Sequence, residues 1–232
     1  MTAPGAVRLD ALIFDLDGTL ADSLADIALA TNQVLEAHGL KAHPVEAYKQ
    51  FVGEGAEVLL RRAFVAAQGQ DWHDAARVPQ AAPLKDLAEA YRVAYEALGH
   101  RHSQPYEGVD RMLDAVVRSG RKMAVLSNKR DDFTKHLIAH RFGRWPFADV
   151  RGEREGVPRK PDPTAALELA LALDVLPERI GFVGDTPIDV RTAKNASMIP
   201  IGVLWGFRSR QELEEAGARL IVARPDDLAA LL

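Results

Sequence analysis

The spacing of apolar residues changes along the chain and divides it into three parts. Residues 11–14 (ALIF) form an apolar run with the length of one buried strand. Between residues 23 and 98, apolar side chains recur at helical spacing, and no stretch alternates in the manner of a strand. After about residue 105, short apolar runs alternate with helical segments to the end of the chain.

The predicted elements follow from this spacing. In the middle part, helices are expected at residues 23–38, 45–50, 56–67 and 84–98, with an irregular stretch at 69–83. In the last part, strands are expected at residues 122–126, 147–151, 180–183, 199–203 and 220–222, and helices at 108–119, 132–140, 164–173, 187–195 and from 209. Two serine-led sequences, residues 23–26 and 209–212, are typical of capping boxes at helix starts.

The alternation of strands and helices predicts an α/β fold. Short connections between such elements are typical of a parallel sheet that carries helices on both faces. The helical middle part then interrupts this core as an inserted α-helical cap domain. We assign residues 1–21 and 103–232 to the core and residues 22–102 to the cap. The cap would lie over the carboxyl ends of the strands, where open α/β sheets bind ligands.

Polar residues follow three of the predicted strands. Asp15 and Asp17 come after the first strand, Ser127 and Asn128 after the second, and Asp185 after the fourth. These strand ends share one edge of a parallel sheet, so the side chains can meet there although they are distant in sequence. Two carboxylates at the end of a buried strand are unfavourable without a positive partner, which predicts a phosphate and metal site rather than a structural role.

The charge of this set predicts a metal ion as a second positive partner. The first is Lys160, which Pro161 and Pro163 hold outside a helix. With Asp17 protonated, a bound phosphate dianion, Asp15, Asp185 and Lys160 together would still carry about three excess negative charges. The candidate ligands are all oxygens, which Mg²⁺ prefers, so we expect Mg²⁺ as the cofactor.

Composition and net charge indicate which classes of molecule the protein is expected to bind. Hydrophobic residues make up 47% of the 232 residues, so a filled core is expected. The net charge of −4 and the absence of a basic run argue against nucleic acid and anionic membrane as partners. No cysteine is present, and residues 1–9 lack the apolar core of a signal peptide. We expect a cytoplasmic protein that is a monomer or a homodimer and acts on a small metabolite.

Four motifs, in this order, resemble those of the haloacid dehalogenase superfamily in its phosphatase branch. They are residues 15–20 (DLDGTL), 127–128 (SN), 160–161 (KP) and 184–189 (GDTPID). The resemblance covers nearly the whole chain, and the ordered set is far more specific than any single motif. It implies a Rossmann-like parallel sheet core with a cap, and an enzyme that hydrolyses phosphoric monoesters.

The resemblance also implies roles for individual residues. Asp15 is expected to be the nucleophile that forms an aspartyl-phosphate, and Asp17 to protonate the leaving alcohol and then activate water. Mg²⁺ would be held by Asp15, the main-chain carbonyl of Asp17 and the carboxylate of Asp185, with Asp189 bracing these ligands. Thr19 is expected to orient Asp17. The expected phosphate-binding residues are Thr19, Ser127, Asn128 and Lys160.

Within the superfamily, the resemblance is to the phosphoglycolate phosphatases. It is carried by residues 22–23 (DS), 52–55 (VGEG), 127–129 (SNK) and 203–208 (VLWGFR). It implies a small phosphorylated metabolite as the substrate, namely 2-phosphoglycolate. The candidate substrate contacts in the cap are Gly53, Gly55 and Arg62.

Two other functions stay open on the sequence alone. A phosphosugar mutase of the β-phosphoglucomutase type shares the core and the helical cap. A non-catalytic phospho-acceptor regulator shares the acceptor aspartate, although Asp17 argues against it because a regulator has no leaving group to protonate. Asp185 could also be a helix N-cap and Asp189 a partner of the helix dipole, roles that can coexist with metal binding.

Overall fold

Six parallel strands form one sheet in the part of the chain that the computed structural model describes, residues 8–73 and 84–231. In chain order the strands are β1 (Ala11–Phe14), β2 (Ala21–Asp22), β3 (Gln104–Pro105), β4 (Lys122–Arg130), β5 (Phe147–Glu153), β6 (Ile180–Gly184), β7 (Ile199–Val203) and β8 (Leu220–Val222). The order across the sheet is β5, β4, β1, β6, β7, β8, and β2 pairs with β3 elsewhere. The chain thus builds to one side of β1 and then to the other. Open α/β sheets bind ligands at such a switch point.

Helices cover the sheet and form the cap. In chain order they are α1 (Leu24–Ala37), α2 (Tyr48–Phe51), α3 (Ala56–Ala67), α4 (Leu84–Leu98), α5 (Val109–Arg118), α6 (Asp131–Phe142), α7 (Thr164–Leu173), α8 (Pro187–Asn195), α9 (Arg210–Ala216) and α10 (Pro225–Ala229). Most of the predicted irregular stretch at 69–83 lies outside the described residues, since 74–83 are not among them. None of the described helices combines the length and the apolar character that crossing a membrane requires.

Alternate residues of β1 pack on opposite faces of the sheet, as the period of a strand requires. Leu12 and Phe14 belong to a buried cluster that includes residues of α5 and α6. Ala11 and Ile13 belong to a second cluster with residues of α7 and α8. All four side chains are fully buried. The predicted α/β fold, with a parallel sheet covered on both faces, is confirmed.

The four helices α1–α4 form a cap with its own hydrophobic cluster, between β2 and β3 in the chain. Buried residues from each helix meet in this cluster, among them Leu35, Tyr48, Leu60, Leu87 and Tyr95. Phe133 and Phe207, from the sheet-bearing part of the chain, pack against the same cluster. The inserted helical cap is therefore confirmed, while the exact boundaries at residues 22 and 102 stay a prediction.

A short antiparallel pair of strands, which the sequence did not reveal, joins the cap to the core. In this neck, Ala21 pairs with Pro105 and Asp22 with Gln104. The capping box predicted at residues 23–26 is wrong, because no side chain caps α1. Asp26 instead accepts hydrogen bonds from the main-chain N–H (2.8 Å) and hydroxyl (2.6 Å) of Ser103. Its buried carboxylate thus ties the start of the cap to the returning chain.

Two further predictions concern details of the core, and one of them is confirmed. The capping box at residues 209–212 is confirmed, with the N–H of Ser209 donating to Glu212 at 2.8 Å. Strand β4, predicted to end at residue 126, continues to Arg130 across an irregularity in its pairing with β5. Ser127 and Asn128 lie in this irregular stretch, where a bulge re-aims side chains toward the edge of the sheet.

Candidate active site

Three carboxylates and one ammonium group meet beyond the carboxyl ends of β1 and β6. Asp15 follows β1, Asp185 follows β6, and Asp189 lies in the first turn of α8. One carboxylate oxygen from each of the three lies within 4.8 Å of the others. Lys160, from the loop before α7, places its Nζ 2.9 Å from Oδ1 of Asp15 and 2.7 Å from Oδ1 of Asp189. The predicted convergence of distant motifs therefore occurs.

Burial and neighbouring charges shift the pKa values of the groups in this cluster. Burial, followed by repulsion from Asp189, raises the pKa of Asp15 well above its usual range, although Lys160 opposes the shift. The same two causes raise the pKa of Asp185 to about 7. Burial disfavours the charge on Lys160, but attraction by Asp15 and Asp189 outweighs it and raises the pKa of the ammonium group. The site has more negative charge than Lys160 can balance.

This donor set fits a divalent cation. The three carboxylates are buried and lie close together, and their oxygens are hard ligands of the kind that Mg²⁺ prefers. A cation among them would offset the repulsion that, together with burial, raises the two carboxyl pKa values. Asp189 is already held by Lys160 and by the Thr186 hydroxyl, which donates to its Oδ2 at 2.7 Å. It is therefore placed to brace the cluster.

The carboxylate of Asp185 is fixed from both sides. The Thr19 hydroxyl donates to its Oδ1 at 3.0 Å, and the main-chain N–H of Phe207 donates to its Oδ2 at 2.8 Å. Gly18 has a φ of +92°, and a Cβ there would lie 2.4 Å from Oδ2 of Asp185. A Cβ on Gly206 would lie 2.3 Å from that of Asp185. Glycines let the backbone close around this side chain.

Asp17 lies apart from the carboxylate cluster and has its own partners. The Ser23 hydroxyl donates to its Oδ1 at 2.5 Å, and Lys129 donates to both of its oxygens at 3.1 Å. Thr19 was expected to orient Asp17, but its hydroxyl contacts Asp185 instead. Ser23, the residue before α1, holds the Asp17 carboxylate instead. The two acids of the first motif are thus held by different groups.

The second motif supports the loops around the pocket. The Asn128 amide donates to the main-chain carbonyls of Gly53 (3.1 Å) and Lys160 (3.0 Å), and its Oδ1 accepts from the Lys160 N–H at 2.9 Å. Its side chain is thus a clamp between three segments rather than a free donor for phosphate. Ser127 is buried beside it, and its hydroxyl oxygen accepts from the N–H of Lys129 at 3.2 Å.

A pocket opens between these residues and the cap, with a cavity of about 50 Å³. Asp15, Asp17, Ser127, Asn128 and Lys160 line its core side. Gly53 and Gly55 line its cap side, and an apolar wall from both cap and core and two further cations from the core complete the lining. The wall consists of Ile27, Val52, Leu59, Tyr91 and Phe133, and the cations are Lys129 and Arg130.

Arg62, a candidate substrate contact, lies outside this pocket. Its guanidinium donates to the main-chain carbonyl of Phe51 at 3.2 Å and pairs with Glu54. It therefore holds the 51–55 loop in shape. Gly55 has a φ of +89°, and a Cβ there would approach Nη1 of Arg159 to 2.5 Å. The positive φ favours a glycine at this point, where the cap meets the core.

Comparison with known proteins decides the family. The family model for haloacid dehalogenase-like hydrolases matches residues 12–203. The chain belongs to this family. The matched segment runs from β1 to the end of β7, so it contains all four motifs and the inserted cap.

Individual relatives of this hydrolase agree with one another. The phosphoglycolate phosphatase of Pseudomonas putida is 33% identical over 225 residues, covering 95% of this chain and 78% of that protein. The phosphoglycolate phosphatase of Vibrio cholerae is 31% identical over 226 residues, covering 95% of this chain and 94% of that protein. A crystal structure of a candidate phosphoglycolate phosphatase from Lactobacillus delbrueckii subsp. bulgaricus has a TM-score of 0.89 at 31% identity, covering 97% of this chain and 99% of that chain. The prediction of a phosphoric monoester hydrolase is confirmed.

Sequence reasoning missed several residues that hold this hydrolase's site together. Phe207 and Arg208 lie in one loop. The first donates to Asp185, and the second donates to the main-chain carbonyls of Lys49 and, at 3.2 Å, Val52 in the cap. Arg159 makes another link, to the carbonyl of Glu54 at 3.0 Å. Main-chain partners leave no signature in a sequence, so only the fold could reveal these contacts.

Proposed function

We propose that this hydrolase is a Mg²⁺-dependent phosphatase that acts on 2-phosphoglycolate through an aspartyl-phosphate intermediate. The observation that carries the proposal is the buried arrangement of Asp15 beside Lys160, with Asp17 facing the same pocket on separate partners. One acid is thus placed among groups that neutralise a phosphoryl anion. The other lies where a leaving group would emerge. Phosphoryl transfer depends chiefly on such positioning and charge neutralisation.

The proposed reaction has two steps. In the first, a carboxylate oxygen of Asp15 forms a bond to phosphorus, the ester P–O bond breaks, and the alcohol leaves with a proton from Asp17. In the second, water attacks phosphorus, Asp17 accepts its proton, and the bond between phosphorus and Asp15 breaks. Ser127 and Lys160 would bind the phosphoryl oxygens in both steps, with Thr19 and Asn128 holding the surrounding groups in place.

The metal site follows from the carboxylate cluster. Asp15, the Asp17 carbonyl and Asp185 would hold Mg²⁺, braced by Asp189, and the bound ion would supply positive charge against the phosphoryl group. The raised pKa values of Asp15 and Asp185 agree with this assignment, because repulsion from Asp189 adds to the effect of burial in raising both. Lys160 alone balances only part of the negative charge.

Two observations support a small acidic substrate. The phosphoglycolate phosphatases of Pseudomonas putida and Vibrio cholerae are 33% and 31% identical to this chain. The far wall of the pocket offers apolar side chains rather than a set of donors for sugar hydroxyls. A phosphosugar would find few polar partners there, so these observations favour the phosphatase over the mutase. The oligomeric state, monomer or homodimer, stays a prediction.

A panel of phosphate esters, assayed with Mg²⁺ and with a chelator, tests this function. We expect phosphate release from 2-phosphoglycolate with Mg²⁺ and little without it. Conversion of a sugar 1-phosphate to the 6-phosphate would identify the mutase. A stable phosphorylated Asp15 without phosphate release would identify a regulator.

A further inference from the structure

Lys129 is a buried cation in the pocket that the reaction described above does not use. It follows the second motif in β4, and only 7% of its side chain is exposed. Its Nζ lies 3.1 Å from each carboxylate oxygen of Asp17 and 4.4 Å from the centre of the Tyr95 ring. An ammonium group has three N–H donors, and both of its hydrogen bonds go to Asp17. One donor is left for a ligand.

The other cations that line the pocket are engaged elsewhere. Lys160 pairs with Asp15 and Asp189 at the phosphoryl end of the site. Arg130 pairs with Asp132 at the surface, where nearly half of the Arg130 side chain is exposed. Among the described residues that line the pocket, Lys129 is therefore the buried cation that is free to bind a second anionic group of a substrate.

The surroundings of Lys129 favour a compact anion. Ile27, Leu59 and Phe133 contribute apolar surface to the same pocket, which would strengthen an ionic contact by excluding water. In a two-carbon ester, a carboxylate lies close to the ester oxygen. A carboxylate bound to Lys129 would therefore bring that oxygen to Asp17, which shares the same ammonium group.

We propose that Lys129 selects phosphate esters that carry a carboxylate, by binding this group while it remains paired with Asp17. The proposal rests on the phosphatase function proposed above and names the substrate feature that the pocket recognises. Lys129 is then the residue that determines specificity, and esters with a neutral tail are poorer substrates because they leave one of its donors without an anionic partner.

Two esters of equal chain length provide the test. 2-Phosphoglycolate ends in a carboxylate, and 2-hydroxyethyl phosphate ends in a neutral alcohol. We expect the wild-type kcat/KM to be at least about tenfold higher for the first, in line with a hydrogen bond to a charged group. In Lys129→Met this ratio should fall by about 10- to 100-fold, and in Lys129→Arg it should fall less.

The ratio separates specificity from chemistry, because both esters depend equally on Asp15, Asp17 and Lys160. A ratio that stays unchanged in Lys129→Met, with both rates reduced alike, would show that Lys129 only positions Asp17 and would overturn the proposal. If Lys129→Met does not fold, a wild-type ratio near one would overturn it just as directly. Lys135→Met, at an exposed position on α6, is the matched control and should keep the wild-type ratio.

The same assay distinguishes an error in the proposed phosphatase function from an error in the proposed role of Lys129. If the wild type released phosphate from neither ester, the proposed phosphatase function would be wrong, and the role of Lys129 would fall with it. Hydrolysis of both esters without preference for the carboxylate would contradict the role of Lys129 alone.

Discussion

Lys160 and Asp15 come from distant parts of the chain, and the Nζ of one lies 2.9 Å from Oδ1 of the other. Only 2% of the Lys160 side chain is exposed. The same ammonium group lies 2.7 Å from Asp189. One buried cation thus joins the proposed nucleophile to the residue proposed to brace the metal site.

Replacement of Lys160 by methionine should remove both activity and stability. The variant leaves Asp15 and Asp189 buried without their positive partner, and breaking a buried pair in this way costs about 3–5 kcal/mol. Urea unfolding at pH 7 without metal measures the stability, and phosphate release measures the activity. Lys135→Met, with 57% of the side chain exposed, should change stability by less than about 0.5 kcal/mol. An active Lys160→Met of wild-type stability would contradict this role.

Asp17→Asn should slow the release of an alcohol leaving group far more than the release of p-nitrophenol. An alcohol needs a proton from Asp17 as it leaves, whereas p-nitrophenol leaves without one. In a single turnover, the variant should release one equivalent of p-nitrophenol from p-nitrophenyl phosphate. Its release of glycolate from 2-phosphoglycolate should be about 10²- to 10⁴-fold slower than that of the wild type. Asp110→Asn, at an exposed position on α5, is the control. Equal loss with both esters would argue against a proton-transfer role.

Stability of the metal-free protein should fall as the pH rises from about 4 to about 7. Burial, followed by repulsion from Asp189, raises the pKa of folded Asp185 to about 7, above its unfolded value. Such a group contributes stability below its unfolded pKa, and this contribution is lost as the pH rises through the folded value. The loss should be on the order of 2–4 kcal/mol.

Urea unfolding in EDTA across this pH range measures the effect. Mg²⁺ should restore the stability at pH 7, because the ion binds the ionised carboxylates of the folded protein. Asp185→Asn should show a flatter pH dependence and should require at least about tenfold more Mg²⁺ for half-maximal activity. Parallel curves for the wild type and Asp185→Asn would show that Asp185 is not the titrating group.

Arg208→Ala should loosen the cap. The side chain is 11% exposed and donates to main-chain carbonyls at the end of α2, from the loop in which Phe207 contacts Asp185. Loss of these charged hydrogen bonds should raise hydrogen exchange at residues 48–55 and lower kcat/KM by about tenfold. Arg210→Ala, at an exposed position nearby, should change neither. Wild-type exchange in Arg208→Ala would mean that other contacts hold the cap.

The sequence predicted the fold and the convergent motifs well, for a physical reason. In an α/β chain, a short apolar run such as residues 11–14 forms a buried strand. Acidic residues at the ends of such strands need a shared positive partner. Contacts between segments that are distant in the sequence could not be predicted in the same way. Ser23 and Asp26 have the composition of a capping box, yet tertiary partners, Asp17 and Ser103, take both side chains. Lys129 belongs to a motif that the sequence shows, but its burial against Asp17 could not be predicted from the sequence.

The direct test of the central claim is phosphate release from 2-phosphoglycolate by the wild type and by Asp15→Asn. Both proteins are assayed with Mg²⁺, and each is checked for folding by its unfolding curve. We expect sustained release by the wild type and none above background by Asp15→Asn, because the amide cannot form the aspartyl-phosphate. Turnover by a folded Asp15→Asn at a rate close to that of the wild type would contradict the assignment of Asp15 as the nucleophile.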